Sequence, residues 1–171
     1  DFIAGQMMAV GILAAERHRR LRGEGQLVRL ALKDVALAAA GHLGMWTEAR
    51  LAGGDRPRYG NYLFGAFGRD FETLDGRRVM VVGLTASQWR RLLEATGLEE
   101  EMTRVGQRLG LDLSEQGHRF RARREIAAVL ESWVGVRRLD ELAPAFTAHG
   151  VTWAPYRTPR QALEEDPDCS S

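Results

Sequence analysis

Three residues carry side chains suited to nucleophilic catalysis or to phosphate binding: Asp1, Arg17 and Arg20, of which the two arginines belong to the run "RHRRLRG". A free carboxylate can attack an activated acyl group, and the covalent intermediate divides one hard transfer into two easier ones. From chemistry alone, an aspartate ahead of an apolar helical run is more simply an N-cap. Arginines bind phosphate oxygens bidentately, although a solvated helix end, whose cations suit the helix dipole, explains the same spacing better.

The four histidines do not form a metal-binding pattern. None of them has a second histidine or a cysteine three or four residues away; they are His18, His42, His118 and His149. Because a metal site needs convergent ligands, we expect no metal. The segment 117–125, "GHRFRARRE", places basic residues around an aromatic one, as in nucleic-acid binding proteins. Its acidic surroundings argue against nucleic acid as a partner.

Residues 53–68 form a glycine-rich segment, "GGDRPRYGNYLFGAFG", with five glycines and one proline in 16 residues. It lacks the GxGxxG spacing and the lysine of a phosphate-binding loop, so no nucleotide fingerprint is present. Its glycines permit the backbone changes that a mobile lid requires. We therefore expect a crossing segment or a ligand loop here.

Composition limits the class of protein. The 24 basic and 23 acidic residues give a net charge of +1, so no strong field draws the chain to nucleic acid or to a membrane surface. The single cysteine, Cys169, excludes an internal disulfide framework and fits a reducing cytoplasm. The first apolar run reaches charge at Glu16 and has no basic leader, which predicts neither a membrane span nor a signal peptide. The missing initial Met and the tail "DPDCSS" indicate a piece of a longer polypeptide.

Hydrophobic periodicity predicts the elements that position Asp1 and the arginines. Apolar residues at helical spacing from Phe2 onward, followed by the glycines of "RGEGQ", predict a helix that stops sharply. Residues 26–34, "QLVRLALKD", predict a strand of about six residues, and Asp34 is a candidate cap for a second helix that runs to residue 52. A helix, a strand and a helix are typical of a parallel α/β unit.

The rest of the chain predicts a small α+β domain. Two β-type runs are joined by Asp75-Gly76, which is a strong hairpin signal. A helix then begins with Thr85 or Ser87 as its cap. Later patterns predict two more helices, the second kinked or restarted at Pro144, then a short strand and a closing helix with proline in its first turn.

Several separated motifs resemble the family III CoA-transferases, the group that includes formyl-CoA transferase, the carnitine and bile-acid CoA-transferases and α-methylacyl-CoA racemase. Residues 1–38 resemble the family's aspartate, small-residue helix, basic G-x-G-Q turn, strand and acidic cap. The resemblance continues through 60–89 and again through 149–167. Within the family, residues 41–71 are most similar to the mesaconyl-CoA C1-C4 CoA-transferase branch, also called 2-methylfumaryl-CoA isomerase.

The resemblance implies an α/β fold. Residues 1–52 would be a helix-strand-helix piece of the Rossmann-like large CoA-binding domain, with its linker helix. Residues 53–68 would be the glycine-rich linker and loop, 69–166 the small α+β domain and 167–171 a truncated return linker. An interlocked homodimer is also implied.

The resemblance further implies that Asp1 is the catalytic aspartate. Its carboxylate would attack an acyl-CoA thioester, which gives a mixed anhydride and then an aspartyl-CoA thioester. Coenzyme A enters as the acyl-CoA substrate, a dicarboxylic acid supplies the carboxylates, and no metal takes part. Gly60, Asn61, Gly65 and Gly68 would belong to the substrate loop, with Gly65 and Gly68 as its flexible points, although "FGAF" is bulkier than the run of glycines in formyl-CoA transferase.

Other roles stay open at this point. Arg17 and Arg20 are candidate contacts for the CoA phosphates. The racemase branch has a glutamate near Ala86, where this sequence has no carboxylate, which favours CoA transfer over racemisation. CoA transfer within one molecule and between two molecules both remain, and so does a non-catalytic dimerisation or binding module. We expect the isolated 171-residue piece to be inactive.

Overall fold

A computed structural model describes residues 1–169, and the chain divides into two compact units. The first unit is residues 1–58, and the second begins at residue 59. The first contains helices only, and the second combines helices with a sheet. Residues 170 and 171, the end of the expected return linker, lie outside the described residues.

The first unit begins with a long helix, α1 (Phe2–Arg22). It ends as the sequence predicts, because Gly23 adopts the left-handed conformation with φ of 77°. The Gly23 N–H donates to the Arg19 carbonyl oxygen at 2.8 Å. Basic residues in the last turn face the negative end of the helix dipole, which stabilises that end.

The strand predicted in residues 26–34 does not form. Residues 24–31 have no regular secondary structure, and in the described part of the chain no strand lies alongside them. A strand exists only where its N–H and C=O groups pair with a neighbour, and leucine and valine content does not supply one. The segment returns along α1, where a Cβ built on Gly11 would lie 3.0 Å from Val28 Cγ1.

The single helix predicted up to residue 52 is two helices, α2 (Leu32–His42) and α3 (Met45–Ala52). Gly44 separates them with φ of 74°, a conformation that ends a helix. The N-cap of α2 is Ala31, so the prediction that Asp34 caps this helix is wrong. Asp34 lies in the first turn instead, where its charge still suits the helix dipole.

The second unit is built on an antiparallel sheet of β1 (Phe67–Glu72), β2 (Arg78–Gly83) and β3 (Thr152–Pro155), in that order. The hairpin predicted at Asp75-Gly76 joins β1 to β2, and Gly76 has φ of 72°. Thr73 closes the turn, since its N–H donates to the Arg77 carbonyl oxygen at 2.8 Å. The turn residues therefore set the register of the pair.

Helices follow and flank these strands. α4 (Ala86–Thr96) begins with the predicted cap, because the Thr85 hydroxyl accepts from the Gln88 N–H and Gln88 Oε1 accepts from the Thr85 N–H. The helix that contains Pro144 is continuous and does not restart. Pro144 has no N–H to bond to the carbonyl of Asp140, but both residues are exposed, so water can bond to that carbonyl instead. In the described residues the helices of this unit are α4 (Ala86–Thr96), α5 (Glu99–Leu109), α6 (Gln116–Arg121), α7 (Arg123–Val134), α8 (Leu139–Ala148), α9 (Pro159–Glu165) and a 3-10 turn at Pro167–Cys169.

One hydrophobic core fills the second unit, between one face of the sheet and its helices. Successive strand residues point to opposite faces, so Phe67 and Phe71 of β1 enter the core while Gly68 and Asp70 face the other way. Side chains from β2, α4, α5, α7 and α8 complete the core, among them Val79, Val81, Trp89, Leu92, Met102, Ile126, Leu130, Leu142 and Phe146.

Candidate active site

Asp1 occupies the N-cap position of α1, and its side chain makes no capping hydrogen bond within the described residues. Only its backbone carbonyl takes part in the helix, by accepting from the Gly5 N–H at 2.8 Å. The interpretation of Asp1 as a cap is therefore wrong for the side chain, which is exposed. Its carboxylate is available for chemistry.

A pocket of about 340 Å³ lies beside Asp1, between the start of α1 and the α2 segment. Apart from Asp1 its lining is apolar: Phe2, Ile3, Ala4, Leu32, Val35, Ala36 and Ala39. The first N–H groups of a helix have no intrahelical acceptor and carry partial positive charge. A carboxylate at an apolar pocket beside such donors suits attack on the carbonyl of a small acyl group, since the oxyanion that forms would find N–H donors.

Arg17 and Arg20 lie near the other end of α1. A helix rises about 1.5 Å per residue, so they are about 24 and 28 Å from Asp1 along the helix axis. Arg20 Nε donates to Glu16 Oε1 at 2.7 Å. The structure does not bring these arginines to Asp1. Together with neighbouring side chains they line a shallow groove of about 400 Å³: Leu13, Glu16, Arg17, Arg20 and Leu21.

The three glycines of the predicted substrate loop have two different environments in the second unit. Gly60 and Gly65 adopt left-handed conformations, with φ of 64° and 82°. Gly68 is part of β1 and pairs with Val82. A Cβ built on Gly68 would lie 2.9 Å from Leu63 Cβ, so glycine is required there for a close approach of the loop. Pairing in a sheet opposes the flexibility that the resemblance implies for Gly68.

Asn61 bonds to a buried carboxylate. Its Nδ2 donates to Asp70 Oδ1 at 3.0 Å, and Arg78 Nε donates to Asp70 Oδ2 at 2.9 Å. Asp70 is only 4% exposed. Burial raises the pKa of Asp70, but the hydrogen bonds from Arg78 and Asn61 lower it by more, so the pKa lies below its ordinary value. Asp70 is therefore a charged anchor under the loop.

Aromatic side chains hold the same loop from its other side. The rings of Tyr59 and Phe64 contact the ring of Phe120, with centroids 5.0 and 5.2 Å away. The Arg123 guanidinium lies 4.5 Å from the Phe120 ring centroid and 4.9 Å from that of Tyr59. Edge-to-face rings and a cation over a ring both add to the stability of such a cluster. The loop is thus packed onto α6 and the start of α7.

Sequence reasoning missed two buried polar residues, Asp70 and Arg119. Arg119 is fully buried and donates to four backbone carbonyls, those of Gly83, Leu84, Leu113 and Ser114, at 2.7 to 3.2 Å. Nothing in the spacing of "GHRFRARRE" distinguishes it from its neighbours. Asp70 gave no signal either, because a charged residue on the strand face opposite Phe67 and Phe71 is the ordinary alternating pattern.

Two further findings concern metal binding and membrane insertion. Within residues 1–169, no group of three histidine, cysteine or carboxylate side chains is arranged to hold a metal ion. No helix in this part of the chain has the length and apolar character needed to cross a membrane.

A comparison with known families identifies the chain. The sequence profile described as "CoA-transferase family III" matches residues 1–169. The chain belongs to CoA-transferase family III. The family expected from the motifs is thereby confirmed.

A curated relative from the same family narrows the likeness. The chain is 63% identical, over all 171 residues, to the 2-methylfumaryl-CoA isomerase of Chloroflexus aurantiacus (strain ATCC 29366 / DSM 635 / J-10-fl). It spans 42% of the length of that protein. This is the branch to which residues 41–71 are most similar on their sequence.

Solved structures confirm the α/β fold of the family. A hypothetical protein of Mycobacterium tuberculosis superposes with a TM-score of 0.70 at 21% identity, over 98% of this chain and 42% of its own. A CAIB/BAIF family protein of Brucella suis superposes with a TM-score of 0.69 at 20% identity, again over 98% and 42%. At these identities the likeness concerns the fold alone.

The resemblance to the racemase branch implies a glutamate near Ala86. Ala86 is the first residue of α4, between Thr85 and Ser87, whose hydroxyl oxygens lie 3.1 Å apart. No carboxylate stands at these three positions. A proton transfer that needs a glutamate there has no group to perform it.

Proposed function

We propose that this chain belongs to an enzyme that moves coenzyme A from the C1 to the C4 carboxylate of mesaconyl-CoA, a 2-methylfumaryl-CoA isomerase. The observation that carries the proposal is the 63% identity to a relative of that name across all 171 residues. Because the chain spans 42% of that relative, the activity is proposed for the longer protein.

Asp1 is the proposed nucleophile. Its carboxylate oxygen attacks the thioester carbonyl carbon, the C–S bond breaks, and a mixed anhydride and a CoA thiolate result. The thiolate attacks the aspartyl carbonyl, which gives an aspartyl-CoA thioester and frees the C1 carboxylate. The C4 carboxylate then attacks the aspartyl thioester carbonyl and expels the CoA thiolate, which gives a second mixed anhydride. The thiolate attacks the C4 carbonyl of that anhydride, so that the C4 thioester forms and the Asp1 carboxylate is released. The uncapped carboxylate supports this role.

The apolar pocket beside Asp1 supports a small acyl group as the substrate. Its alanine, valine and leucine side chains offer no hydrogen bond, which suits a methyl-substituted carbon chain. The free N–H groups at the start of α1 would stabilise the oxyanion of each tetrahedral intermediate. The loop glycines and Asn61 would contact substrate and exclude water, as the resemblance implies.

Coenzyme A is proposed to enter as the acyl-CoA substrate, with no metal. Arg17 and Arg20 stay candidates for its phosphates, since arginine forks suit phosphate oxygens. An interlocked homodimer is the proposed assembly, supported by the exposed apolar side chains of the first unit, such as Phe2 and Leu51. A cytoplasmic setting is supported by the single cysteine.

The test uses the intact protein with mesaconyl-C1-CoA, and chromatography of the CoA esters. We expect the C4 ester to form, Asp1→Ala to lose at least about a thousandfold in rate because it lacks the nucleophile, and Asp34→Asn to stay near wild type as a matched exposed aspartate. If the wild type instead esterifies added carboxylates, the transferase acts between molecules. Full activity of Asp1→Ala would contradict the proposed nucleophile.

A further inference from the structure

We propose that Asp70 is a positioning residue for CoA transfer, which holds residues 61–64 of the glycine-rich loop on the outer face of β1. This inference rests on the proposed function. Asp70 lies three positions beyond the first residue of β1, on the face that points away from the core. Asn61 and Leu63 lie against that face.

Two contacts join Asn61 and Leu63 to β1. Asn61 Nδ2 donates to Asp70 Oδ1 at 3.0 Å, and the Leu63 N–H donates to the Gly68 carbonyl oxygen at 2.8 Å. Gly68 allows the close approach, because any larger residue would place its Cβ 2.9 Å from that of Leu63. One contact is a backbone bond at a glycine, and the other depends on a particular pair of side chains.

The two glycines in left-handed conformations bound this segment. Gly60 lies directly before Asn61, and Gly65 directly after Phe64. Glycine passes between positive and negative φ at little cost, so both ends of the segment can change direction. Residues 61–64 therefore form a flap between two glycine hinges. The Asn61–Asp70 bond is one of the side-chain contacts that hold it down, together with the bond from Arg69 to the Tyr62 hydroxyl and the packing of Phe64 on Phe120.

The two oxygens of Asp70 have separate partners. Oδ2 bonds to Arg78 on the paired strand, while Oδ1 faces the loop and bonds to Asn61. Arg78 is itself near Glu72 and Tyr156, the other titratable groups of this cluster. If Asn61 moved away, Oδ1 of a buried carboxylate would lose its partner, which is costly. The flap is thus held closed, and a substrate that binds Asn61 must compete with Asp70.

The first experiment is hydrogen exchange on the intact protein. Asn61→Ala removes only the loop side of the bond at an exposed position, so the fold should remain. We expect the Tyr62 and Leu63 amides to exchange roughly tenfold faster or more, as for loss of a hydrogen bond to a charged group. Glu72→Gln is the control, because Glu72 pairs with Arg78 and does not contact the loop. Unchanged exchange in Asn61→Ala would overturn the proposal.

A second variant gives a signature that general destabilisation would not. Asn61→Asp places a carboxylate against Asp70, so the flap should be released at pH 7. The pKa of the new carboxylate is raised by the charge of Asp70, and once protonated it can donate to Oδ1. Protection of Tyr62 and Leu63 should therefore return as the pH falls towards about 5, while the wild type shows no such recovery. Protection at pH 7 equal to that of the wild type would overturn the proposal.

Kinetics then separate this inference from the proposed function. In Asn61→Ala and Asp70→Asn we expect kcat for ester isomerisation to fall about tenfold while KM changes less, since a misplaced loop harms the transition state most. Faster exchange with unchanged kcat and KM would overturn the positioning role. If the wild type forms no new CoA ester, the proposed function fails, and hydrogen exchange still decides whether Asp70 holds the flap.

Discussion

The two units differ in how they bury apolar surface. Within residues 1–58, two hydrophobic residues are buried, Ala4 and Val35. The described part of the second unit has a contiguous core in which Leu92 and Phe146 are 0% exposed. The second unit therefore stabilises itself, whereas the helices of the first unit depend on burial that residues 1–58 do not provide.

Exposed side chains in the first unit support the same comparison. Phe2 is 92% exposed, Leu51 82% and Leu27 75%. Isolated helices without a buried face gain too little to offset the conformational entropy that they lose. The proposed catalytic residue thus lies in the part of the chain with the smaller core.

The largest expected effect compares two leucines. Leu92→Ala opens a cavity in the core and should lower the free energy of unfolding by about 3 kcal/mol. Leu51→Ala should change it by less than about 0.5 kcal/mol, because an exposed leucine loses few contacts. Urea unfolding followed by tryptophan fluorescence and circular dichroism measures both. Equal losses in the free energy of unfolding for the two variants would contradict the difference between the units, since they would show that Leu51 is buried.

A smaller effect is expected for the buried arginine of the second unit. Arg119→Lys should cost about 2 kcal/mol, because an ammonium cannot reach the four carbonyls that the guanidinium bonds. Arg90, which is exposed and pairs with Glu94, offers the matched control, and Arg90→Lys should leave stability unchanged. A midpoint of urea unfolding for Arg119→Lys at the wild-type value would contradict the structural role.

The smallest expected effect is a change in how stability depends on pH under acidic conditions. The hydrogen bond from Thr73 lowers the pKa of Asp75, and the Leu139 N–H lowers it further. Such a group contributes stability above its unfolded pKa and loses it as the pH falls through the folded one. Asp75→Asn should therefore be less stable than the wild type at pH 7, with the difference shrinking below about pH 4.

Glu16 is the counterpart in the first unit. Hydrogen bonds from Arg19 and Arg20 lower the pKa of Glu16 to about 2. Arg19 and Arg20 are exposed and Glu16 is partly exposed on the same helix, and such surface ion pairs contribute little. Glu16→Gln should therefore have the same pH dependence of stability as the wild type, and a clear change would mean that this end of α1 is covered.

Local signals in the sequence predicted the second unit well. Asp75-Gly76 indicated the hairpin, and Thr85 was one of the two residues predicted to cap the following helix, since each acts through neighbouring residues. The family and its α/β fold followed from motifs in order. The domain boundaries and the roles of the loop residues stay predictions.

Features that depend on distant residues were not predictable. The predicted strand in residues 26–34 required a partner that the described residues do not contain. The Asn61–Asp70 bond joins residues nine positions apart in the sequence, and Arg119 donates to the carbonyl of Gly83, 36 positions away. Periodicity reports which face is apolar, but not which polar group will be covered.

Because α1 is long, a small tilt at one end gives a large displacement at the other. The helix is about 30 Å long, so a tilt of about 5° at its arginine end displaces Asp1 by about 2.6 Å. Displacements of this size are enough to slow a positioned reaction greatly. A ligand that binds at the Arg17 and Arg20 end would therefore change the position of the Asp1 carboxylate at the other end without contacting it.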